Sequence, residues 1–262
     1  MMTKKLITYI VTGWFAIVMA MGATPQENEA AKYKTWIDSA EAAYTNQDYS
    51  KAADFYQQVL EHGMTSADLH YNLGNAWYKQ GALPQAILHY EKALKYNPAH
   101  EDARFNLQMA NSLITDRIEP SHVPFYKRWY KQLWQSMPID SWAVLSIVAF
   151  LALIGAILLF VFTRSIALKK TVVPIGLLGL VLMILSLTLG AEARSYLEDT
   201  HKAIVFEPTL NVKSSPDNSG TDLFTIHEGL KVEVRQELGE WSEIEIADGR
   251  VGWVPNESFK KV

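Results

Sequence analysis

The side chains best suited to metal binding or proton transfer are the seven histidines, and they are widely spaced. They lie at positions 62, 70, 89, 100, 122, 201 and 227. His100-Glu101 and His227-Glu228 each begin like the zinc motif H-E-x-x-H, but neither has a second histidine four residues later. A lone histidine is more often a surface or packing residue, so these positions predict no metal site.

The chain also lacks the short motifs of common catalytic and cofactor sites. It contains no G-x-S-x-G nucleophile turn, no phosphate-binding loop and no glycine-rich dinucleotide turn. Glu243 and Glu245 alternate with apolar residues, which places these paired carboxylates on the solvent-exposed face of a strand. The absence of cysteine excludes disulfides, thiol catalysis and thiolate metal sites. We therefore predict a protein that is not an enzyme and that needs no cofactor or metal.

Two apolar runs in the middle of the chain have the length of membrane spans. Trp142–Phe162 and Thr171–Ala191 contain no charged residue, and each would be about 31 Å long as a helix, close to the ~30 Å hydrocarbon core of a bilayer. A soluble helix of that length would carry charges on its outer face. We predict a transmembrane hairpin with helices at 141–163 and 171–191, joined by a basic cytoplasmic loop at 164–170.

The first 22 residues are typical of an export signal. Lys4 and Lys5 precede an apolar stretch, Leu6–Met21, that is short for a span. Small residues follow it and fit a cleavage site before Ala23. The alternative is an uncleaved N-terminal anchor. Both interpretations place the chain from Ala23 onward outside the cytoplasm.

The orientation of the hairpin follows from this export signal. The loop between the spans carries Arg164, Lys169 and Lys170, as the positive-inside rule expects for a cytoplasmic loop. That rule alone does not decide, because Lys127, Arg128 and Lys131 precede the first span. The predicted location is the bacterial inner membrane, with several passes and both soluble modules facing the periplasm.

Residues 67–100 form a 34-residue unit with the pattern of a helical repeat. The unit resembles a tetratricopeptide (TPR) repeat at every signature position except the fourth, where His70 replaces the usual tryptophan. Gly74 and Ala86 let the two helices of the unit approach closely, and Pro98 sets the turn to the next unit. The matching positions are Leu73, Gly74, Trp77, Ala86, Tyr90, Ala93 and Pro98.

Shorter matches flank this central unit. Residues 33–66 form a degenerate copy in which Ala40 replaces the glycine and Met64 replaces the proline, and 101–115 supplies one further, capping helix. The resemblance therefore predicts an α-helical TPR stack over 33–118, near the minimum size for a stable array.

Stacked TPR units form a concave surface that binds peptides or helices in other members of the family. Ile37 and Glu41 stand where the carboxylate clamp of some members needs lysine and asparagine, so we expect no clamp. Rigid aromatic anchors and one amide are the candidate partner-binding residues. The alternative is that the aromatics simply pack between helices. The candidates are Tyr44, Tyr71, Asn75, Tyr78 and Phe105.

A linker at 119–140 joins the repeats to the first span. Phe125–Trp134 mixes aromatic and cationic residues immediately before that span, which favours a short interfacial helix at the headgroup level. A nucleic-acid-binding patch has a similar composition. However, the position next to a span and the modest formal net charge of -4 argue against it.

After Ala203 the apolar residues recur with period two, as in half-buried strands. Asp248-Gly249 is a hairpin-turn pair between Ile244–Ile246 and Val251–Val254. The region 203–262 resembles a bacterial SH3-like (SH3b) domain. Its matching segments are Leu210–Pro216, Glu228-Gly229, Gly239–Trp241 and Asp248–Val254. The predicted fold class is a multidomain α plus β membrane protein with a TPR stack, a two-helix transmembrane hairpin and a small SH3-like β barrel.

Two tryptophans of this last region are candidates for a binding edge. SH3-like domains outside the cell often bind cell-wall peptides or dock other proteins, and Trp241 and Trp253 would suit either ligand. The alternative, which we favour from the sequence, is that both belong to the core, as large residues of a tiny barrel usually do.

The order of export signal, TPR stack, hairpin and SH3-like domain resembles the BatE proteins of the Bacteroides aerotolerance operon. The resemblance implies a scaffold that works beside von Willebrand A-domain membrane proteins and a MoxR-type AAA ATPase in envelope stress or oxygen tolerance. An adaptor that joins protein partners is the function we expect. A module that senses peptidoglycan through the SH3-like domain is the alternative.

Overall fold

The computed structural model describes residues 25–118 and 123–262. The export signal predicted at 1–22 lies outside the described residues, as does His122 in the linker. The chain divides into two compact units, one up to Thr65 and the other from Ser66 to Val262. Each unit is described by itself.

The first unit contains a helical hairpin, α1 (Pro25–Thr45) and α2 (Tyr49–Glu61). The carboxylate of Asp48 accepts a hydrogen bond from the backbone N–H of Lys51 and so caps α2. Tyr56 is buried in the hairpin. Burial, followed by the negative charge of Glu41, raises the pKa of Tyr56 to about 12.

The second unit begins with three helices, α3 (Ala67–Lys79), α4 (Leu83–Tyr96) and α5 (Glu101–Leu113). The closest approach of α3 to α4 is at Gly74, where an added Cβ would lie 2.7 Å from Cε1 of Tyr90. The glycine is therefore required because no larger residue leaves room for the fully buried tyrosine ring.

Helices α6 (Phe125–Trp134), α7 (Ile139–Phe162) and α8 (Ile166–Glu198) follow. Both α7 and α8 are long and apolar enough to cross a membrane, and only 11% and 22% of their most apolar segments are buried. Both helices thus leave most of their apolar residues uncovered, unlike the core helix of a soluble protein.

Small residues line the contact between α7 and α8. A Cβ added at Gly179 would lie 3.5 Å from the carbonyl oxygen of Ala149, and one at Gly190 would lie 3.1 Å from the Cβ of Trp142. Close backbone approach of this kind is typical of helix pairs in membranes.

The connection between α7 and α8 is shorter than the predicted loop at 164–170. The hydroxyl of Ser165 accepts a hydrogen bond from the backbone N–H of Leu168, so this cap starts α8 at Ile166. Lys169 and Lys170 consequently lie in the first turns of the helix, and only residues 163–165 connect the two helices.

The chain ends in one antiparallel sheet with the strand order β3-β2-β6-β5-β4-β1-β7. A short 3-10 helix, Asn256–Ser258, precedes the last strand. The seven strands are β1 (Lys202–Val205), β2 (Thr209–Lys213), β3 (Asp222–His227), β4 (Lys231–Leu238), β5 (Trp241–Glu245), β6 (Val251–Pro255) and β7 (Phe259–Lys261).

All seven strands contribute apolar side chains to one buried cluster, so the sheet curls around a single core. The observed architecture, helical repeats with two long apolar helices and a C-terminal antiparallel sheet, confirms the predicted fold class. The core consists of Ala203, Val205, Leu210, Val212, Ile226, Leu230, Val232, Val234, Ile244, Ile246, Val254 and Phe259.

One residue of the sheet is buried in the helical repeat instead of in the sheet's own core. Ile204 of β1 is fully buried in a cluster with Ile87 and Tyr90 of α4. Beside this apolar contact, Lys231 donates a hydrogen bond to Glu91, with 2.6 Å between nitrogen and oxygen. Helix α4 and the sheet are therefore packed directly against each other.

The ion pair between Glu91 and Lys231 is shielded from water on its acidic side, since 8% of the Glu91 side chain is exposed. Desolvation opposes the charge of Lys231, but the nearby Glu91 carboxylate outweighs it and raises the pKa of this lysine. Removal of Lys231 would leave the buried Glu91 carboxylate unpaired, which typically costs about 3–5 kcal/mol.

The segment after α5 extends the same interface. Asp116 accepts a hydrogen bond from the backbone N–H of His227 at 2.6 Å, and its other oxygen lies 2.9 Å from Nδ1 of that histidine. The nearby turn residue Gly229 has φ +85°, and a Cβ added to it would lie 2.6 Å from Cγ2 of Ile114 and 3.2 Å from Cδ1 of Ile87. His227, which in the sequence is one of the isolated histidines, thus joins the sheet to the helical repeat.

Gly229→Ala should weaken this interface more than an equivalent change elsewhere in the sheet. The new Cβ would lie 2.6 Å from Cγ2 of Ile114, whereas Gly239 also has positive φ (+61°) but nothing within 4 Å. Both substitutions strain the backbone by roughly 1–2 kcal/mol. Gly229→Ala should lower the free energy of unfolding by about 1–3 kcal/mol more, through overpacking.

Chemical denaturation of both full-length variants in detergent measures this difference. Hydrogen exchange should also show faster exchange in α4 for Gly229→Ala alone. Equal destabilisation by the two substitutions would contradict the packing described for the interface.

Candidate interaction surfaces

Helices α3 and α5 bring one candidate amide into a fixed orientation. The side-chain oxygen of Asn75 accepts hydrogen bonds from the hydroxyl of Tyr90 at 2.9 Å and from Nδ2 of Asn106 at 2.8 Å. Within residues 25–118 and 123–262 no hydrogen bond is made by the Asn75 amide nitrogen. Because both donors hold its oxygen, the nitrogen is the group of Asn75 that remains able to donate a hydrogen bond.

The aromatic candidates differ in how far they are covered. Tyr71 is half-buried, with its ring centroid 4.8 Å from that of His100, and Tyr78 is half-buried against the cluster that surrounds Ile87. Packing between helices thus accounts for much of their surface. Phe105 on α5 is 63% exposed and is therefore the least covered of these three candidates.

Two further exposed apolar residues, Met109 and Leu113, follow Phe105 on α5. Their spacing of four residues places the three side chains on one ridge of the helix. The sequence analysis identified Phe105 but not this ridge. Tyr44 belongs to the first unit, where its ring centroid is 5.2 Å from that of Tyr49.

A buried histidine pair lies at the contact of α3 with α4. Nδ1 of His70 is 3.0 Å from Nδ1 of His89, and the His70 ring also stacks on Tyr96. One ring must donate and the other accept in this hydrogen bond, so the accepting ring carries no proton on Nδ1. His70, which replaces the usual tryptophan of the repeat, is therefore a packing residue whose nitrogen is satisfied by a second histidine.

The surroundings of this pair oppose protonation. Burial, followed by the charge of Lys92, lowers the pKa of His70 to about 4. Burial, followed by the charges of His70, Lys92 and Lys260, lowers the pKa of His89 to about 3. The pair is accordingly neutral at physiological pH.

Acidification should destabilise the repeat through these histidines. Their ordinary pKa is 6.5, so the unfolded chain binds protons below pH 6.5 while the folded chain does not. The stability is complete above that pH and is lost as the pH falls toward 4. One pKa unit corresponds to about 1.4 kcal/mol, so His70 alone should account for about 3 kcal/mol.

Urea unfolding of the full chain between pH 7.5 and 4 measures this slope. The double substitution His70→Gln, His89→Gln should flatten it, whatever its effect on stability at pH 7.5. An unchanged slope in the double variant would show that other groups are responsible.

Trp241 and Trp253 lie on the outer face of the sheet. Both are half-buried, and neither belongs to the core cluster. The core interpretation favoured from the sequence is therefore wrong for both. The alternating sequence pattern does indicate the outer position of Trp241. Ile244 and Ile246 point inward, so Trp241 shares its face with Glu243 and Glu245.

The two tryptophans do not share one site. Trp241 lines a cleft of about 390 Å³, and Trp253 does not. Two of its lining residues are joined by a hydrogen bond, which Asn256 donates from Nδ2 to the carbonyl oxygen of Gly239 at 3.0 Å. Its lining residues are Asn218, Gly239, Glu240, Trp241, Pro255, Asn256 and Glu257.

Two family models match these parts of the chain. The tetratricopeptide repeat model matches residues 67–100, and the bacterial SH3 domain model matches residues 208–260. The chain contains a TPR repeat and a bacterial SH3 domain. These matches confirm the predicted domain content. A comparison with curated proteins finds no match to the chain.

Both kinds of domain are typically interaction modules without catalytic activity. In the described residues, 25–118 and 123–262, no group of three or more histidine, aspartate or glutamate side chains is placed to hold a metal ion. The chemistry of the surfaces above is that of recognition: exposed aromatic area, an oriented amide and a polar cleft.

Proposed function

We propose that this protein is a non-enzymatic, membrane-anchored scaffold that presents its TPR and SH3-like modules on one side of a bilayer. The observation that carries the proposal is the packing of α4 against β1. Two domains in direct contact must lie on the same side of a membrane. A hairpin of two spans between them satisfies this requirement.

The exposed apolar surfaces of α7 and α8 support the membrane placement. Such surfaces are too extensive for a monomer in water, and a bilayer covers them without further partners. With the export signal predicted at 1–22, the two modules would face the periplasm. Residues 163–165 would then lie on the cytoplasmic side, followed by Lys169 and Lys170 in α8.

Protein binding is assigned to the surface that α3 and α5 present. Phe105 would insert as an exposed aromatic anchor, and Asn75 would donate its amide hydrogen to a backbone carbonyl of the ligand. Tyr71 and Tyr78 would contribute the edges of half-buried rings, and Tyr44 is the candidate from the first unit. A partner bound here would be held at a fixed position relative to the sheet, because α4 joins the two.

The alternative function is a peptidoglycan sensor, and the cleft beside Trp241 favours it as a second candidate. An indole face next to amide and carboxylate groups suits a peptide or an amino sugar. In this case the SH3-like domain binds the wall and the TPR repeat transmits its state.

The domain order further supports a role like that of the BatE proteins. In such a role the scaffold would work in aerotolerance or envelope stress. Its partners would be von Willebrand A-domain membrane proteins and a MoxR-type AAA ATPase.

Affinity purification of the full chain from detergent-solubilised membranes distinguishes the two functions. We expect specific membrane proteins to co-purify with the wild type. Phe105→Ala should reduce their recovery by at least tenfold, as expected for an interface anchor. Leu238→Ala, which removes another exposed apolar side chain in the sheet, is the matched control and should leave recovery unchanged.

Sedimentation of the same preparation with purified peptidoglycan is the second arm. The scaffold function predicts that the chain stays in the supernatant. The sensor function predicts that the wild type pellets with the peptidoglycan, that Trp241→Ala does not, and that no protein co-purifies. This combined result would overturn the scaffold function.

A further inference from the structure

Helix α6 has two faces of opposite chemistry. Successive residues are about 100° apart around a helix, which gathers the aromatic side chains on one half and the cations on the other. Phe125 is 78% exposed and Trp129 is 63% exposed, and Tyr126 and Tyr130 are also exposed. Lys127, Arg128 and Lys131 form the opposite half. A helix this short and this amphipathic, with its apolar half uncovered, needs an apolar surface alongside it.

The end of α6 is fixed where the apolar surfaces of α7 and α8 end. Trp134 is buried among Trp142, Leu189 and Ala193. The indole nitrogen of Trp142 donates a hydrogen bond to the carbonyl oxygen of Trp134 at 3.1 Å. The ring of Trp134 also lies 5.1 Å from that of Tyr196. The C-terminal end of α6 therefore lies at the level at which the apolar run of each candidate span ends.

The cationic half has no acidic residue to balance it on its own helix. Between Val123 and Ile139 the sequence contains three cations and no carboxylate. Surrounding protein desolvates the Lys131 ammonium and Lys231 and Lys202 repel it, which outweighs the attraction of Glu91, so its pKa lies below the ordinary lysine value. An excess of positive charge at this level attracts anions.

We propose that α6 binds anionic phospholipid, with its aromatic half in the headgroup–acyl boundary and its cations on the phosphate groups. The proposal rests on the membrane placement of α7 and α8 given above. Aromatic rings and lysine or arginine side chains are the groups that anchor proteins at this depth. Each cation near an anionic surface contributes about 1 kcal/mol.

The continuity of surfaces favours a lipid over a protein partner. The exposed aromatic half joins, through Leu133 and Trp134, the apolar surface of the spans. A bilayer that covers α7 and α8 would also cover the aromatic half of α6, so that half needs no separate binding partner. The SH3-like domain and the TPR repeat would then be held at a set height above the lipid, because the same chain joins all of them.

Site-directed spin labelling in lipid nanodiscs tests the depth of α6. The chain contains no cysteine, so Phe125→Cys, Trp129→Cys and Arg128→Cys each create one labelling site without displacing a native thiol. In nanodiscs of phosphatidylglycerol and phosphatidylcholine, labels at positions 125 and 129 should be accessible to oxygen and shielded from a water-soluble nickel reagent. The label at position 128 should show the reverse.

A label at Leu151→Cys, in the middle of α7, separates the two proposals. If position 151 is deep in the acyl region while 125 and 129 are in water, the inference for α6 is wrong and the membrane placement stands. If position 151 is itself in water, the membrane placement fails.

Retention of anionic lipid through detergent extraction tests the charges. Lys127→Gln, Arg128→Gln, Lys131→Gln should retain about tenfold less phosphatidylglycerol than the wild type, measured by native mass spectrometry. The matched control removes three exposed lysines elsewhere: Lys34→Gln, Lys51→Gln, Lys79→Gln. Equal loss in both triple variants would overturn the assignment of the anion site to α6.

Discussion

The contact between α4 and the C-terminal sheet is the interaction on which the arrangement of the second unit depends. Ile204 is buried in the helical repeat and not in the sheet's own core. Beside it, Glu91 is buried and its charge is neutralised by Lys231. A buried carboxylate is tolerated only because its partner stays in place. The same pair thus penalises separation of the two domains and positions them relative to each other.

This contact restricts how the chain can cross a membrane. In the proposed membrane placement, an even number of spans must separate the repeat and the sheet because the two touch, and α7 and α8 would supply two. The small residues between these helices allow a close hairpin, and the three-residue connection leaves almost nothing on the far side. The recognition surfaces proposed on α3, on α5 and at the Trp241 cleft would then lie on one side of the membrane, which is what the proposed scaffold requires.

Much of this organisation could be predicted from sequence because local rules determine it. Gly74, Ala86 and Pro98 have spacings that only a helical repeat explains, and Asp248-Gly249 between alternating residues specifies a hairpin. Uncharged runs as long as a bilayer is thick specify the candidate spans. Each of these patterns lies within a few dozen residues.

The features that sequence analysis missed depend on residues far apart in the chain. Nothing near His227 indicates that Asp116 binds it, and nothing near Ile204 indicates that α4 covers it. Likewise, His70 and His89 form a pair only because α3 and α4 pack side by side. Trp241 is a different case, because the alternating pattern of its strand already places it with Glu243 on the solvent-exposed face. The wrong expectation came from the general preference of tryptophan for protein cores.

The most direct test of the account is the sidedness of three positions in intact cells. Lys79→Cys in the TPR repeat, Asn218→Cys in the SH3-like domain and Ala167→Cys at the start of α8 each place one thiol at an exposed site in a chain that has none. A membrane-impermeant maleimide should label positions 79 and 218 in spheroplasts and should reach position 167 only after the membrane is opened. Labelling of 79 and 218 from opposite sides of the membrane would contradict the account.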